Sequence, residues 1–379
     1  VSLPTLSAAS ARAGAVLTID LAALVGNWLK MKSLAPAAET GAVVKADAYG
    51  LGAVHVAPAL ARAGCKTFFV AHLDEGIALR AALPQARIFV LHGPNPGTEA
   101  DFAGHSLIPV LNAPHQVAGW AAFAKTCGKA HPAALQVDTG MTRLGLNPAQ
   151  FEALLADSTT LKALSLCLLV SHFACADTPE HPMSGQQIAR FTEFSRRLPG
   201  VERSLSASSG ILLGPAAQFD LTRPGIALYG GNPGNAATNP MRPVVTLSAK
   251  ILQIHAADAP QTVGYGATHA LTAPTRVATV ALGYADGLLR GISNPEKPVF
   301  GTVRGTFKAR MIGRISMDLA AFDIGEVPEG LIAPGDSIDV IGKYADIDAL
   351  AGAAGTISYE LLTRLGPRLL RVYANGSAP

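Results

Sequence analysis

The 379-residue sequence is short of charge: Asp, Glu, Lys and Arg make up 15% of it, against about 25% in a typical soluble chain. With 49% hydrophobic residues, this predicts a large buried fraction or a face covered by another subunit. The net charge is +3, and Lys and Arg are scattered rather than gathered. Neither a nucleic acid nor an anionic membrane therefore finds an electrostatic footprint. Cysteine is scarce too. Cys65, Cys127, Cys167 and Cys175 stand far apart and match no paired-ligand zinc spacing, although Cys167, His172 and Cys175 form a loose group. The expectation is buried thiols in a reducing compartment, and no metal. No apolar run reaches the roughly 18 residues that span a bilayer, and the first residues lack the charged start, apolar core and cleavage site of a secretory signal. The chain is expected to be soluble and cytoplasmic. Asn375-Gly376-Ser377 has the form of a glycosylation acceptor, a chance match in a chain that is not exported. A G-x-G-x-x-G turn after the first strand-like run is also missing, which argues against a doubly wound dinucleotide-binding sheet.

What the sequence does contain is alternation. Between Val16 and Gly231, β-rich apolar runs at Ala42–Lys45, Thr67–Ala71, Arg87–Leu91, Leu107–Leu111, Ala133–Asp138, Ser165–Phe173, Ser204–Ser208 and Thr222–Ile226 are separated by amphipathic stretches at Asp20–Leu34, Ala53–Ala63, Asp74–Leu83, Ala113–Thr126, Pro148–Leu155 and Pro182–Leu198. Eight strands divided by helices predict an α/β fold, a TIM-like (β/α)8 barrel. The Gly/Asn/Pro-rich stretch from Gly230 to Pro240 breaks the pattern. After it, Val244–Ile254, Arg276–Leu282, Lys308–Phe322 and Ser337–Ile341 are rich in β-branched residues, with few helix-length stretches before Ile347–Ala354. The expected division is a barrel over 1–240, with the residues before Val16 free to pack with the second domain, and a β-dominated C-terminal domain over 241–379.

The segment Ala42-Val43-Val44-Lys45-Ala46-Asp47-Ala48-Tyr49-Gly50-Leu51-Gly52 ends a buried strand in a lysine. Burial lowers the pKa of a lysine and makes its amine nucleophilic, the property a carbonyl-binding lysine needs. The other reading is an ammonium that reaches solvent from the strand end. The barrel reading gathers further polar groups at the same rim, where barrel strands place catalytic residues. Arg143 follows the fifth strand, His172 ends the sixth, Ser209 follows the seventh and Arg223 falls at the eighth.

Several segments carry a resemblance. Val43 to Gly52, Val137-Asp138-Thr139-Gly140-Met141-Thr142-Arg143-Leu144-Gly145, Ser171-His172-Phe173-Ala174-Cys175-Ala176-Asp177 and Arg223-Pro224-Gly225-Ile226-Ala227-Leu228-Tyr229-Gly230 resemble the alanine racemase family. So do Gly264-Tyr265-Gly266-Ala267-Thr268, Gly283-Tyr284-Ala285-Asp286-Gly287, Gly313-Arg314-Ile315-Ser316-Met317-Asp318 and Ile357-Ser358-Tyr359-Glu360, in family order. The resemblance covers nearly the whole chain. It implies a barrel that binds pyridoxal 5'-phosphate, a β-domain that contributes residues to the partner subunit's active site, and a homodimer that interconverts L- and D-alanine, supplying D-alanine for cell-wall peptidoglycan.

Carried over residue by residue, the resemblance makes Lys45 the amine that holds the cofactor and one of two acid/base groups. Inversion at Cα needs a second group on the opposite face. Tyr265 matches it, with His172 and Arg223 as the relay that favours its phenolate. Arg223 also matches the residue facing the pyridine nitrogen; a guanidinium donates a hydrogen bond there and leaves the ring a weaker electron sink. Tyr49, Ser209, Gly225, Ile226 and Tyr359 match the phosphate-holding set. Arg143 matches a contact to the cofactor and the substrate carboxylate, and Met317 a second carboxylate contact through its backbone N–H. Two residues depart from the family pattern. Gln136 stands where many members have a carbamylated lysine that pairs with the Arg143 equivalent, and Ser208 stands where Asn is usual. A racemase for serine or a broader range of amino acids, a non-catalytic carrier of the cofactor and a decarboxylase on the same barrel are the rival readings; the Tyr265 motif argues against the last two.

Overall fold

The structure is a computed structural model that describes residues 8–234, 238–293 and 296–374. Asn375-Gly376-Ser377 and positions 235–237 of the glycine-rich stretch lie outside the described residues. The chain forms two compact units, one of Val25–Leu228 with Asn232–Met241, the other of Val1–Leu24, Tyr229–Gly231 and Arg242–Pro379.

The first unit is a parallel barrel. Strands Ala42–Val43, Thr67–Val70, Arg87–Val90, Ile108–Leu111, Pro132–Gln136, Ser165–Val170 and Glu202–Ser204 pair in that order, each parallel to the next. The eighth strand, Leu221–Thr222, closes the ring. On one side it pairs in parallel with Glu39–Thr40, the start of the first strand, and the Gly41 and Val43 N–H groups donate to Thr222 and Pro224. On the other side, Asp220 and Arg223 donate to the carbonyls of Arg203 and Ser206. Strands covered on both faces read as unbroken apolar runs, and Thr67–Val70 and Ile108–Leu111 are buried at every residue. Inside, Phe69 stacks on Phe89 with ring centroids 5.0 Å apart. Burying each such ring contributes about 1.5–3 kcal/mol.

The strands stop earlier than their apolar runs predict. The first ends at Val43 rather than Lys45, the sixth at Val170 rather than Phe173, and the seventh at Ser204. The eighth ends at Thr222, and a short 3-10 helix begins at Ile226. Apolar character continues into the rim loops because the ends of a buried barrel are themselves covered. Hydrogen-bond pairing, which defines the strand, stops where the rim begins.

The second unit is a β-structure. Its eight-stranded sheet runs Thr275–Val280, Ala320–Asp323, Phe307–Ile312, Phe300–Val303, Ser337–Ile341, Val245–Ala257, Ala15–Asp20, Leu370–Ala374. The long strand Val245–Ala257 also pairs with Thr275–Val280 beyond a bulge at Ile251/Gln253, so six of the strands close on themselves. All pairings are antiparallel except that of Ala15–Asp20 with Leu370–Ala374. The β-rich run Lys308–Phe322 forms two strands, Phe307–Ile312 and Ala320–Asp323, parted by a loop from Gly313 to Leu319. Two helices, Ile347–Ala353 and Ser358–Arg364, complete the unit. No helix is long and apolar enough to cross a membrane among the described residues.

The cysteines only partly match the expectation. Cys65 is buried with its thiol pushed up to about 12 by desolvation, but Cys127 is exposed and Cys167 and Cys175 are half-buried. Among the described residues no His, Cys, Asp and Glu side chains group as metal ligands.

Candidate active site

The C-terminal rim of the barrel carries the chemistry-bearing residues. Lys45 opens a turn in which Ala46, Asp47, Ala48 and Tyr49 all have left-handed backbone angles, with φ of 53°, 52°, 53° and 57°. Each such residue costs roughly 1–2 kcal/mol outside glycine, so the turn must be held from outside. The Glu75 carboxylate accepts the Ala46 N–H at 2.6 Å through one oxygen and the Ala71 and His72 N–H groups at 2.7 and 3.0 Å through the other. Asp47 accepts from the Ala53 N–H at 2.7 Å. The Lys45 ammonium is disfavoured first by burial, then by the Arg143 cation, and to a smaller degree by Arg223, with Glu75 opposing. Its pKa lies below that of an ordinary lysine.

Arg223 is 4% exposed and has no carboxylate partner among the described residues. Its guanidinium donates to Ser204 Oγ and, at 2.7 Å, to the carbonyl of Ser171, and lies over the Phe69 ring. Burial brings it down to about 10, still charged near neutrality. One Arg223 nitrogen faces His172 Nδ1 at 3.4 Å. A guanidinium can only donate, so Nδ1 is the acceptor and the imidazole proton sits on Nε2. Desolvation first, then the cations of Arg223, Arg143 and Lys45, hold His172 at about 3. The imidazole is neutral across the working range of pH.

Gly225 lies against Tyr49. A Cβ at this position would collide with the Tyr49 hydroxyl oxygen, so the close approach requires glycine. The Ser208 hydroxyl accepts the N–H of Gly225 at 2.9 Å and of Ala227 at 3.3 Å, with the N–H of Ile226 between them. Ser209 follows at the start of the helix Ser208–Leu212. The Gly225 N–H, expected to hold phosphate, is thus engaged by Ser208. The Tyr49 hydroxyl stands at Gly225, and hydroxyls and backbone N–H groups of the kind that Tyr49, Ser209 and Ile226 carry suit an anion with several acceptor oxygens.

Arg143 is exposed, on a loop folded back over the fifth strand. Asp138 accepts the Gly140 and Thr142 N–H groups at 2.8 and 3.1 Å, and Gly145 donates to Asn112. Gln136 is 8% exposed, and its amide donates to the carbonyl of Leu144 at 3.2 Å. It fastens the backbone next to Arg143 rather than the guanidinium.

Tyr265, Met317 and Tyr359 belong to the β-unit. Tyr265 is 68% exposed and Met317 54%. Gly264, before Tyr265, has φ of 78°, and a Cβ on it would stand 3.2 Å from the Arg314 N. The Met317 segment is tied by the Tyr284 N–H to Ser316 at 3.1 Å and the Ala285 N–H to Met317 at 2.9 Å. Arg368 ion-pairs with both Asp318 and buried Asp286. Of the residues named from the sequence, Lys45, Tyr49, Arg143, His172, Ser209, Arg223, Gly225 and Ile226 share the barrel unit. Sequence reasoning missed Glu75, Ser204 and Gln187, which touch the backbone or side chains of these groups from other elements. Glu75 stands three residues after the helix-capping position, but the His72 at that position hides the usual Ser/Thr signature.

Comparison with known proteins adds the family. Residues 19–233 match the model of the alanine racemase N-terminal domain and residues 244–373 that of the alanine racemase C-terminal domain. The alanine racemase of Rhodospirillum rubrum is 50% identical over 364 residues, covering 96% of this chain and 96% of that protein. Among solved structures, the alanine racemase of Bartonella henselae, with covalently bound pyridoxal phosphate, superposes with a TM-score of 0.89 at 36% identity, covering 96% of this chain and all of that one. The biosynthetic alanine racemase of Pseudomonas aeruginosa superposes with a TM-score of 0.87 at 35% identity and the same coverage.

Proposed function

The chain belongs to the alanine racemase family, and we propose from this that it interconverts L- and D-alanine with pyridoxal 5'-phosphate bound at the barrel rim. The observation that carries the reading is the group Lys45, Arg223 and His172 at the barrel rim: a buried cation 3.4 Å from the imidazole Nδ1, with an amine and an imidazole whose charged forms are both disfavoured by burial and by that cation. The donor set fits the cofactor. Lys45 would take its aldehyde, Arg223 its ring nitrogen as a donor that does not protonate it, and Tyr49, Ser209 and the Ile226 N–H its phosphate. Bound there, pyridoxal phosphate supplies the electron sink that acidifies the Cα–H of an amino acid.

The chain's own residues move the proton. The Lys45 amine, whose protonated form burial and neighbouring cations disfavour, serves one face of Cα. Tyr265 serves the other, and its exposure suits a group that completes the site of a second copy. The Nε2–H of His172 is the donor available to the phenolate of the partner's Tyr265, and Arg223 fixes that tautomer by holding Nδ1. Arg143 and the Met317 N–H orient the substrate carboxylate, and Tyr359 joins the phosphate-holding set. On this reading the protein is a cytoplasmic homodimer, each chain a barrel domain and a β-domain whose sheet also takes in the N-terminal strand Ala15–Asp20, that supplies D-alanine for the cell wall. A chirally resolved assay of the purified protein with L-alanine and L-serine tests it. Formation of D-alanine is expected; D-serine formed as fast or faster would favour the broader-specificity reading, and no change in chirality with either would refute the racemase.

A further inference from the structure

Gln187 lies on the helix Pro182–Arg196, whose buried residues are Ser184, Gln187, Phe191, Phe194 and Ser195. It is therefore a polar side chain on the core-facing stripe, and it is 0% exposed. A buried amide needs partners, and Gln187 finds all of them around His172. Its Nε2 donates to the His172 carbonyl at 2.8 Å and to Thr139 Oγ1 at 3.0 Å, and its Oε1 accepts the Ala174 N–H at 2.9 Å. Only this orientation of the amide matches donors to acceptors, since a flipped amide would set its oxygen against the His172 carbonyl. Thr139 Oγ1, which accepts from Gln187, also shares a hydrogen bond with Ser171 Oγ at 2.8 Å in which either hydroxyl can donate. The Ser171 carbonyl is in turn the acceptor of Arg223. One side chain thus grips the backbone on both sides of Phe173, directly after His172, and through Thr139 and Ser171 connects to the segment whose carbonyl accepts from Arg223, the cation that faces His172 Nδ1.

We propose that Gln187 is a positioning residue for the proton relay: it fixes the His172 backbone so that Nδ1 meets Arg223 and the Nε2–H is aimed outward from the rim. For its effect on turnover the inference deepens the racemase reading and rests on it. The charged and titratable groups around Gln187 are His172, Arg223 beyond Ser171, Arg190 on its own helix, whose guanidinium donates to the Thr139 carbonyl at 3.0 Å, and Asp138, whose carboxylate is engaged by Gly140 and Thr142.

The test uses two variants of the full-length, cofactor-loaded protein. Gln187→Glu keeps the shape. Its carboxyl, buried and raised in pKa, can donate to the His172 carbonyl while protonated, but when ionised it donates to neither His172 nor Thr139. The ratio of variant to parent kcat should therefore fall about tenfold or more from low to high pH, as a general acid–base step loses its alignment, with KM for alanine and the cofactor absorbance unchanged. Gln187→Ala should turn the single Nε2–H tautomer of His172, read by 15N NMR and assigned with His172→Gln, into a mixture. A pH-independent kcat ratio together with an unaltered tautomer would overturn the proposal, as would a loss of melting temperature with no change in either. If Gln187→Ala does not fold, the pH ratio of Gln187→Glu decides. If the parent does not racemise alanine, the functional reading fails, while the tautomer measurement still judges the positioning role.

Discussion

His172 should make the fold acid-sensitive in a way that a single substitution removes. In the folded protein its pKa is held at about 3, against an ordinary value of 6.5, by desolvation and by the cations of Arg223, Arg143 and Lys45. The unfolded chain binds a proton on this residue below about pH 6.5, whereas the folded chain does not until near pH 3. The stability that neutral His172 allows is therefore fully present above pH 6.5 and lost as pH falls between those values. Linkage gives a loss of about 1.4 kcal/mol at pH 5.5 and about 2.7 kcal/mol at pH 4.5 relative to neutrality. His172→Gln keeps an acceptor oxygen for the Arg223 guanidinium but cannot titrate. Urea unfolding of parent and variant at pH 7.5, 5.5 and 4.5, followed by fluorescence and circular dichroism together, isolates the difference. Carboxylates such as Asp220, held down by its hydrogen bond to Arg203, titrate in both proteins and cancel. The variant should lose less stability on acidification, by about 2.7 kcal/mol at pH 4.5. Parallel pH profiles for the two proteins would show that His172 is protonated in the folded state and would remove the case for Nε2–H as a fixed donor.

The other expectations follow from single contacts. Borohydride reduction of the cofactor-loaded protein should fix the pyridoxyl group on Lys45, the rim lysine with the lowered pKa; peptide mapping that finds it on another lysine refutes the assignment. Gly225→Ala, which drives a methyl into the Tyr49 hydroxyl, should cost about 1–3 kcal/mol of overpacking, seen as weaker cofactor binding by fluorescence titration, and an unchanged affinity would show that Tyr49 is free to move aside. Tyr265→Phe should keep the cofactor but lose turnover by about 10²–10⁴-fold, the range for a missing acid/base. Mixed with Lys45→Ala after verified subunit exchange, it should regain activity, and no recovery would argue for sites built within one chain. Gln136→Ala frees the Leu144 carbonyl beside Arg143 and should raise KM for alanine while leaving cofactor affinity intact; unaltered constants for both enantiomers would leave Gln136 a barrel residue alone.

The barrel was legible because parallel strands covered on both faces must be apolar throughout, so Thr67–Val70 and Ile108–Leu111 announce themselves. Their ends were not, since hydrophobicity outlasts hydrogen-bond pairing at a covered rim. In the β-unit the run Lys308–Phe322 marked β-structure without showing where one strand ends and the next begins. The loop between Ile312 and Ala320 contains Ile315, Met317 and Leu319, and this alternation mimics a strand although Met317 and Leu319 are exposed. Apolar residues on a loop facing outward are what a surface awaiting a partner would show, but period-two patterning cannot tell them from a sheet face.

Motifs named the candidate site groups, and they were silent on what holds those groups. Ser204, Glu75 and Gln187 act from 19, 29 and 15 residues away in sequence, on elements whose own patterns explain them as strand, cap and core. The Lys45 turn makes the reason plain. Ala46-Asp47-Ala48-Tyr49 contains no glycine, so the usual signal for left-handed backbone is absent, and local propensity predicts against the conformation adopted. A conformation disfavoured residue by residue persists only when its surroundings over-determine it. Here that requirement is met by Glu75 on the Ala46 N–H, by Asp47 on the Ala53 N–H, and by the Gly50 and Gly52 N–H groups donating to the carbonyls of Ala46 and Asp47. Glu75 also caps the next helix by accepting the N–H of Ala71 and His72, so the second strand's exit and the turn that carries Lys45 share one carboxylate. The position of Lys45 is thus a property of two βα units together, and a reading confined to its own segment could name the lysine without knowing what keeps it there.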